Sequence, residues 1–272
     1  MNFITSMTMV DHIIGSAPFV YEGDFTKGIK KGKELGFDGV ELHIADPTMV
    51  DISEMEETFA VSNTRLTAIG TGRAYVNDGL SITDESLNIR RAAIERLEGF
   101  LEMAGKFRAA VIVGCMRGNI SSSDKLPQAM EWLQKSMRYL DVVAGELGVN
   151  IVFEPINRYE NNFLCNMAEI VAFIRENDLK NTGILMDTFH ANIEEEDICA
   201  SIRQNANEIQ YVHIADSNRL YPGGGHLDFE KILKTLDEAG YHGVLSAECL
   251  PFPSKTMSAV KWIENMKAIM EI

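Results

Sequence analysis

A single-domain (β/α)8 TIM barrel spanning residues 1–272 is the fold class this sequence predicts, and three observations carry it. Eight short apolar runs alternate with amphipathic stretches, the rhythm of a parallel α/β fold. A weak repeat marks the joints between units. Glu34-Leu-Gly-Phe-Asp-Gly-Val-Glu41 resembles Glu238-Ala-Gly-Tyr-His-Gly-Val-Leu245, with a shorter echo at Glu146-Leu-Gly-Val-Asn-Ile-Val152. Each places a glycine just past a helix, where positive φ is needed, and an apolar strand after it. Lastly, Glu154, Asp187, His213 and Glu248 close four successive β-like runs at gaps of 33, 26 and 35 residues, each about one strand-plus-helix unit.

Taken in order, the strands are expected near 11–16, 37–43, 65–70, 109–114, 150–154, 182–187, 209–214 and 243–248. The helices are expected near 24–35, 50–62, 84–107, 124–147, 166–177, 195–205, 228–239 and 255–270. Asp24 can cap the first helix and Ser254 the last, and Pro127 suits a first helical turn. In the fourth helix Leu126, Ala129, Met130, Leu133, Met137, Leu140, Val143, Ala144 and Leu147 recur at three- and four-residue steps, which turns one face to the barrel. A Rossmann sheet is the competing fold, but no G-x-G-x-x-G joins a first strand to a helix and no G-x-x-x-x-G-K-[ST] occurs.

Composition bounds the function. The net charge of −15 and pI near 4.8 oppose nucleic acid or an anionic membrane as partner. Four cysteines, Cys115, Cys165, Cys199 and Cys249, lack C-x-x-C spacing and read as reduced thiols. With no signal-like N-terminus and no apolar run of membrane length, the expected location is cytoplasmic. Oligomeric state is open, with a homodimer or homotetramer both compatible with the stripes.

Three carboxylates and an imidazole are a ligand set for one divalent ion such as Mn²⁺, Co²⁺ or Mg²⁺. Each carboxylate alone reads equally well as a helix cap. Four such positions in consecutive units point to the barrel rim at the strand C-termini, where these folds place their chemistry. Polar groups follow the runs directly: Pro155-Ile-Asn-Arg-Tyr-Glu160, Thr188-Phe-His190-Ala-Asn192 and Ile214-Ala-Asp216-Ser-Asn218-Arg219. They look like walls of a polyol site. Gly223-Gly224-Gly225 reads either as a turn or as backbone approaching a ligand or phosphate. His43, Arg73 and Arg117 follow strands and are candidates for the mouth or for capping; His12 and His226 are similar, and His242 reads as structural.

These segments carry a resemblance. Glu154-Pro-Ile-Asn-Arg-Tyr-Glu160, Met186-Asp-Thr-Phe-His-Ala-Asn-Ile-Glu-Glu195, Val212-His-Ile-Ala-Asp-Ser-Asn-Arg219 and Leu245-Ser-Ala-Glu248 resemble the ketose 3-epimerases of the xylose-isomerase-like TIM-barrel superfamily, D-tagatose and D-psicose 3-epimerases among them. Gly36-Phe-Asp-Gly-Val-Glu41 fits the second strand of that superfamily. The specific match covers residues 150–250. The resemblance implies that Glu154, Asp187, His213 and Glu248 bind one divalent metal, that Glu154 and Glu248 exchange the proton, and that Glu160, His190 and Arg219 hold substrate oxygens. The implied partner is a small-molecule keto-sugar. The chain departs at Ala215-Asp216, where the ketose 3-epimerases carry Gly-Glu, and Gly225-His-Leu-Asp-Phe229 is closer to the wider superfamily, including epimerases of keto-glycosides.

The chemistry is self-consistent. Inverting a carbon beside a ketone requires removal of a weakly acidic C–H proton, stabilisation of the enediolate by a metal, and a base on each face. An aldose–ketose isomerase, an inosose enzyme or a phosphosugar 3-epimerase would use the same site. A superfamily nuclease would need more than the six histidines present, and a non-catalytic sugar-binding barrel would tolerate loss of one glutamate.

Overall fold

The computed structural model describes residues 1–13 and 17–271. Eight parallel strands run β1 Ile4–Val10, β2 Gly39–His43, β3 Arg65–Gly70, β4 Ala110–Val113, β5 Ile151–Phe153, β6 Thr182–Asp187, β7 Ile209–His213 and β8 Val244–Ala247. Each pairs with the next, and β8 pairs back onto β1 with Ile4 opposite Val244, which closes the barrel. Tyr21–Glu22 adds a short parallel pairing beside Met9 and Val10.

Long helices join the strands: α1 Phe25–Leu35, α2 Ile52–Ser62, α4 Leu87–Phe107, α5 Leu126–Leu147, α6 Met167–Glu176, α8 Ile198–Asn205, α9 Phe229–Glu238 and α10 Lys255–Met270. Two short ones, α3 Gly72–Asp78 and α7 Thr188–Glu194, sit on the rim and were not expected. Asp24 accepts from the Lys27 amide at 2.8 Å and Ser254 from the Met257 amide at 3.2 Å, so both predicted caps form. The repeated joints also form: Gly36, Gly148 and Gly240 have φ of +90°, +65° and +83°, a region in which a Cβ is strained. In α5 the middle of the apolar stripe is buried, whereas Leu126 and Leu147 at its ends are exposed.

The expected first strand at 11–16 is wrong. The strand is Ile4–Val10, and residues 14–16 lie outside the described residues. Its three hydroxyl residues disguised it. Thr5, Ser6 and Thr8 are buried and satisfied by Asp38, Thr67 and the Ala247 carbonyl, so a run that reads as polar lines a core.

Strand periodicity divides the core. Outward side chains such as Met7, Val40, Val111, Phe153, Met186 and Val212 join the large layer beneath the helices. Ala68, Ile112, Val152, Leu185 and Tyr211, one from each of β3 to β7, form a separate small cluster in the barrel interior. That plug closes the barrel below and leaves the C-terminal rim as its open end.

Candidate active site

β6 and β7 end on Asp187 and His213, while Glu154 and Glu248 lie one residue beyond β5 and β8. One donor atom from each of the four falls within 4.8 Å of the others, and all four residues are buried. His213 Nδ1 lies 3.4 Å from Glu248 Oε2, 3.7 Å from Glu154 Oε1 and 3.8 Å from Asp187 Oδ2.

Asp187 shows why a helix cap and a ligand need not be alternatives. Its Oδ1 accepts from the Phe189 and His190 amides at 2.6 and 3.2 Å, capping α7. Its Oδ2 has no hydrogen-bond partner although buried, and neither has His213 Nδ1. Two orphaned buried donors among three carboxylates are costly unless a cation is shared between them. The donor set therefore fits a single divalent ion.

Burial raises Asp187 to about 7, with Glu248 adding to the shift and Arg219 opposing it. Burial also raises Glu154, and the Glu248 charge adds to it against His213. For Glu248, burial pushes upward too, but His213 and Arg219 outweigh it and hold its carboxyl well below the ordinary range. The two glutamates are thus shifted in opposite directions. His213 is buried as well, yet Glu41 and Glu248 hold its imidazole far above its usual value.

The predicted substrate-binding residues gather here too. Arg219 Nη2 donates to Glu248 Oε2 at 2.6 Å, lies 3.6 Å from Asp187 Oδ2, and its Nη1 is 3.7 Å from Glu160 Oε1. Its guanidinium stacks over Phe189 at 4.7 Å. Asn157 is the hub beneath them: its amide nitrogen donates to Glu160 Oε1 at 2.9 Å and lies 2.7 Å from His190 Nδ1. His190 Nδ1 accepts from the Asn157 side-chain amide, and its Nε2 lies 3.4 Å from Arg219 Nη1, a group that can only donate. Burial and the Arg219 charge depress its basicity, which keeps it neutral. Arg158 clamps Glu194 of α7 with its backbone amide and guanidinium, fixing the loop that bears Glu160.

A cavity of about 200 Å³ opens over these groups. Its charged floor is Glu154, Glu160, His190, His213, Arg219 and Glu248. The facing wall comes from the first half of the chain: Ala17, Pro18, Phe19, Gly70, Thr71, Gly72, Val76, Ile112, Gly114 and Cys115, with His43, Arg73 and Asn77. Gly114 makes room for the site. A Cβ there would stand 2.4 Å from Glu154 Oε2.

Other candidates find structural roles. Arg73 lines the cavity but is tied to the His12 carbonyl and Asp11. Arg117 is buried between the Phe153 and Phe163 rings and donates to the Leu164 carbonyl, away from the cavity lining. His12 pairs with Glu22, His226 with Ser217, and His242 with Asp237. The ligand reading of Gly223–Gly225 is also overturned. Buried Asp216 accepts from the Ser217, Gly223 and Leu227 amides at 2.7, 2.8 and 3.0 Å, so the protein's own carboxylate fills the nest that a phosphate would need. Those amides, Gly225 included, outweigh burial and keep Asp216 ionised.

Sequence reasoning missed Glu41, Asn157 and Gly114. Glu41 is wholly buried and takes His213 Nε2 at 3.0 Å and His43 Nε2 at 2.6 Å. The signal was present: in Gly-Val-Glu-Leu-His, alternation turns Glu41 and His43 to the same side as the plug residues.

Among the described residues no helix is long and apolar enough to cross a membrane. The sequence profile described as xylose isomerase-like TIM barrel matches residues 29–266. A ketose 3-epimerase of Arthrobacter globiformis is 30% identical, the alignment covering 85% of this chain and 81% of that protein. A 3-dehydro-D-guloside 4-epimerase of Escherichia coli K12 is 31% identical over 79% of this chain and 83% of its own. The crystal structure of D-allulose 3-epimerase from Methylomonas sp., in complex with D-allulose, has the same fold, with a TM-score of 0.83 at 22% identity over 98% of this chain and 97% of that one. Matched over most of its length by that profile and by curated epimerases, this chain belongs to the xylose isomerase-like TIM barrel family, as an enzyme of the isomerase class.

Proposed function

We propose that the protein is a metal-dependent epimerase that inverts the carbon beside the ketone of an unphosphorylated ketose or keto-sugar. The observation that carries the reading is the convergence of Glu154 and Glu248, from two strands separated by two others, on the orphaned donors of Asp187 and His213 at the floor of a sugar-sized cavity. Glu154, Asp187, His213 Nδ1 and Glu248 would hold one divalent ion, with Mn²⁺ suited to this oxygen-rich set and Co²⁺ or Mg²⁺ as substitutes. Such an ion supplies positive charge against the negative charge that develops on the ketone oxygen.

The remaining work falls to side chains. One glutamate removes the proton from the carbon beside the ketone. The other, protonated, returns a proton to the opposite face of that carbon, so the exchange balances with no redox change. The opposed tendencies of Glu154 and Glu248 support one acid and one base in each turnover. His190 and Arg219 orient substrate oxygens, and Glu160 accepts from a hydroxyl. Asp216 in the glycine nest argues against a phosphosugar, because the anion position is already taken.

A second position for the chemistry is favoured by one feature. The chain carries Ala215-Asp216 after His213-Ile214, and a 4-epimerase acting on a dehydro-guloside is among its relatives at 31% identity. The test is NMR in D₂O of a ketohexose panel and a 3-keto-glucoside, with metal-free and Mn²⁺-loaded protein, chelating the ion before reading. Deuterium at C3 of a ketose with its C3 epimer, only in the loaded sample, supports 3-epimerisation. Deuterium at C4 of the keto-glucoside moves the assignment to a 4-epimerase, and deuterium at C1 indicates aldose–ketose isomerisation. No exchange in any of them would refute the epimerase reading.

A further inference from the structure

We infer that Glu41 is a positioning residue that fixes which nitrogen of His213 is free to bind the metal. The inference rests on the metal-site reading above and goes one layer beneath it. Glu41 ends no strand and does not line the cavity; it lies inside β2, wholly buried. Its Oε1 accepts from His213 Nε2 at 3.0 Å and its Oε2 lies 3.1 Å from the same nitrogen. A carboxylate can only accept, so Nε2 carries a proton toward Glu41, and Nδ1 is the nitrogen left to give up its proton to a metal. Nδ1 is the nitrogen that faces Glu154, Asp187 and Glu248 and has no other partner. A hydrogen-bonded carboxylate also makes the imidazole a more basic ligand.

Glu41 is itself held on all sides. Tyr211 donates its hydroxyl to Oε2 at 2.8 Å, Thr67 is 2.8 Å from that hydroxyl, and Ser6 is 2.7 Å from Thr67. His43 Nε2 takes Oε1 at 2.6 Å, with Phe19 packed against its ring at 4.4 Å. The chain of contacts therefore crosses from β1 through β3 and β7 to β2 and ends on the imidazole. Glu41, His43 and Glu248 also bring donor atoms within 4.8 Å of one another, which raises the alternative that Glu41 is a metal ligand. The geometry points against it, because both oxygens are already occupied by His43, His213 and Tyr211.

Calorimetric titration of Mn²⁺ into wild type, Glu41→Gln and Glu41→Asp tests this, with circular dichroism melting as the check on folding. Wild type should take one ion per chain. Glu41→Gln, whose amide can present N–H to His213 and reverse its tautomer, should bind Mn²⁺ about 10- to 100-fold more weakly, and Glu41→Asp should recover part of the loss. Nitrogen-15 NMR of the Mg²⁺-loaded protein should show His213 protonated at Nε2 in wild type and losing that state in Glu41→Gln, which a merely structural role would not produce. Unchanged Mn²⁺ affinity in folded Glu41→Gln overturns the inference alone. Two ions per wild-type chain, with one lost in the variant, overturns it in favour of a ligand role. No Mn²⁺ uptake by wild type overturns the metal-site reading and this inference with it. Should Glu41→Gln not fold, Tyr211→Phe removes only the hydroxyl donated to Glu41. Weaker Mn²⁺ binding by about threefold supports the inference and an unchanged affinity overturns it.

Discussion

Strands β5 to β8 and strands β1 to β4 deliver different side chains to one cavity. The second half contributes the charged floor, Glu154, Glu160, His190, His213, Arg219 and Glu248. The first half contributes mostly small and apolar groups, from Ala17 through Phe19 to Gly70–Gly72, Val76, Ile112, Gly114 and Cys115. The teaching is that one half supplies the ionisable groups and the other supplies room and support. Gly114 leaves space for a carboxylate that β5 delivers, and Glu41 of β2 holds an imidazole that β7 delivers. A specialised half-rim is possible because a closed barrel places every strand end around the same opening.

The division can be broken most directly at the two glutamates proposed as acid and base. Glu154→Gln or Glu248→Gln should lower kcat by about 10³-fold or more and abolish deuterium exchange at the reacting carbon, measured by NMR. Retained exchange in either variant would remove that glutamate from the chemistry. Asp187→Asn comes next. Asparagine still caps α7 through its side-chain oxygen, so the melting temperature should hardly move, while Mn²⁺ affinity should drop by about 100-fold. A matched loss of stability and metal would mean that Asp187 acts chiefly as a cap.

Gly114→Ala asks whether the first half matters to the chemistry. Its Cβ would stand 2.4 Å from Glu154 Oε2, and displacing that oxygen should cost kcat about 10- to 100-fold with a smaller change in KM. Acid offers a further test. Asp187 is raised to about 7 and Glu154 is raised as well, so protons compete with the metal for these oxygens below neutrality. Mn²⁺ affinity should therefore weaken as pH falls below about 7, as read by titration at fixed ionic strength. The smallest effect belongs to the apolar wall. Val76→Ala should leave kcat within about twofold and change only KM, by a factor that differs among sugars of different length. A large fall in kcat there would erase the contrast between the halves.

The sequence by itself determined the periodic core, the helix starts and the four strand-end donors. Alternation and three- or four-residue spacing are local consequences of strand and helix geometry, and the capping of Asp24 and Ser254 is local too. Only tertiary structure could turn the hydroxyl-bearing run Ile4–Val10 into a buried strand, because the partners that satisfy it come from Asp38 just before β2, Thr67 of β3 and the Ala247 carbonyl of β8. The same holds for Gly223–Gly225, which reads as a turn or as a ligand cradle until Asp216 is found bonded to its amides. It holds for Asp187, one of whose oxygens caps a helix while the other faces the candidate metal cluster. Glu41 stands furthest from local pattern: it meets His213 across 172 residues of chain, and a contact of that separation exists only once the barrel has closed.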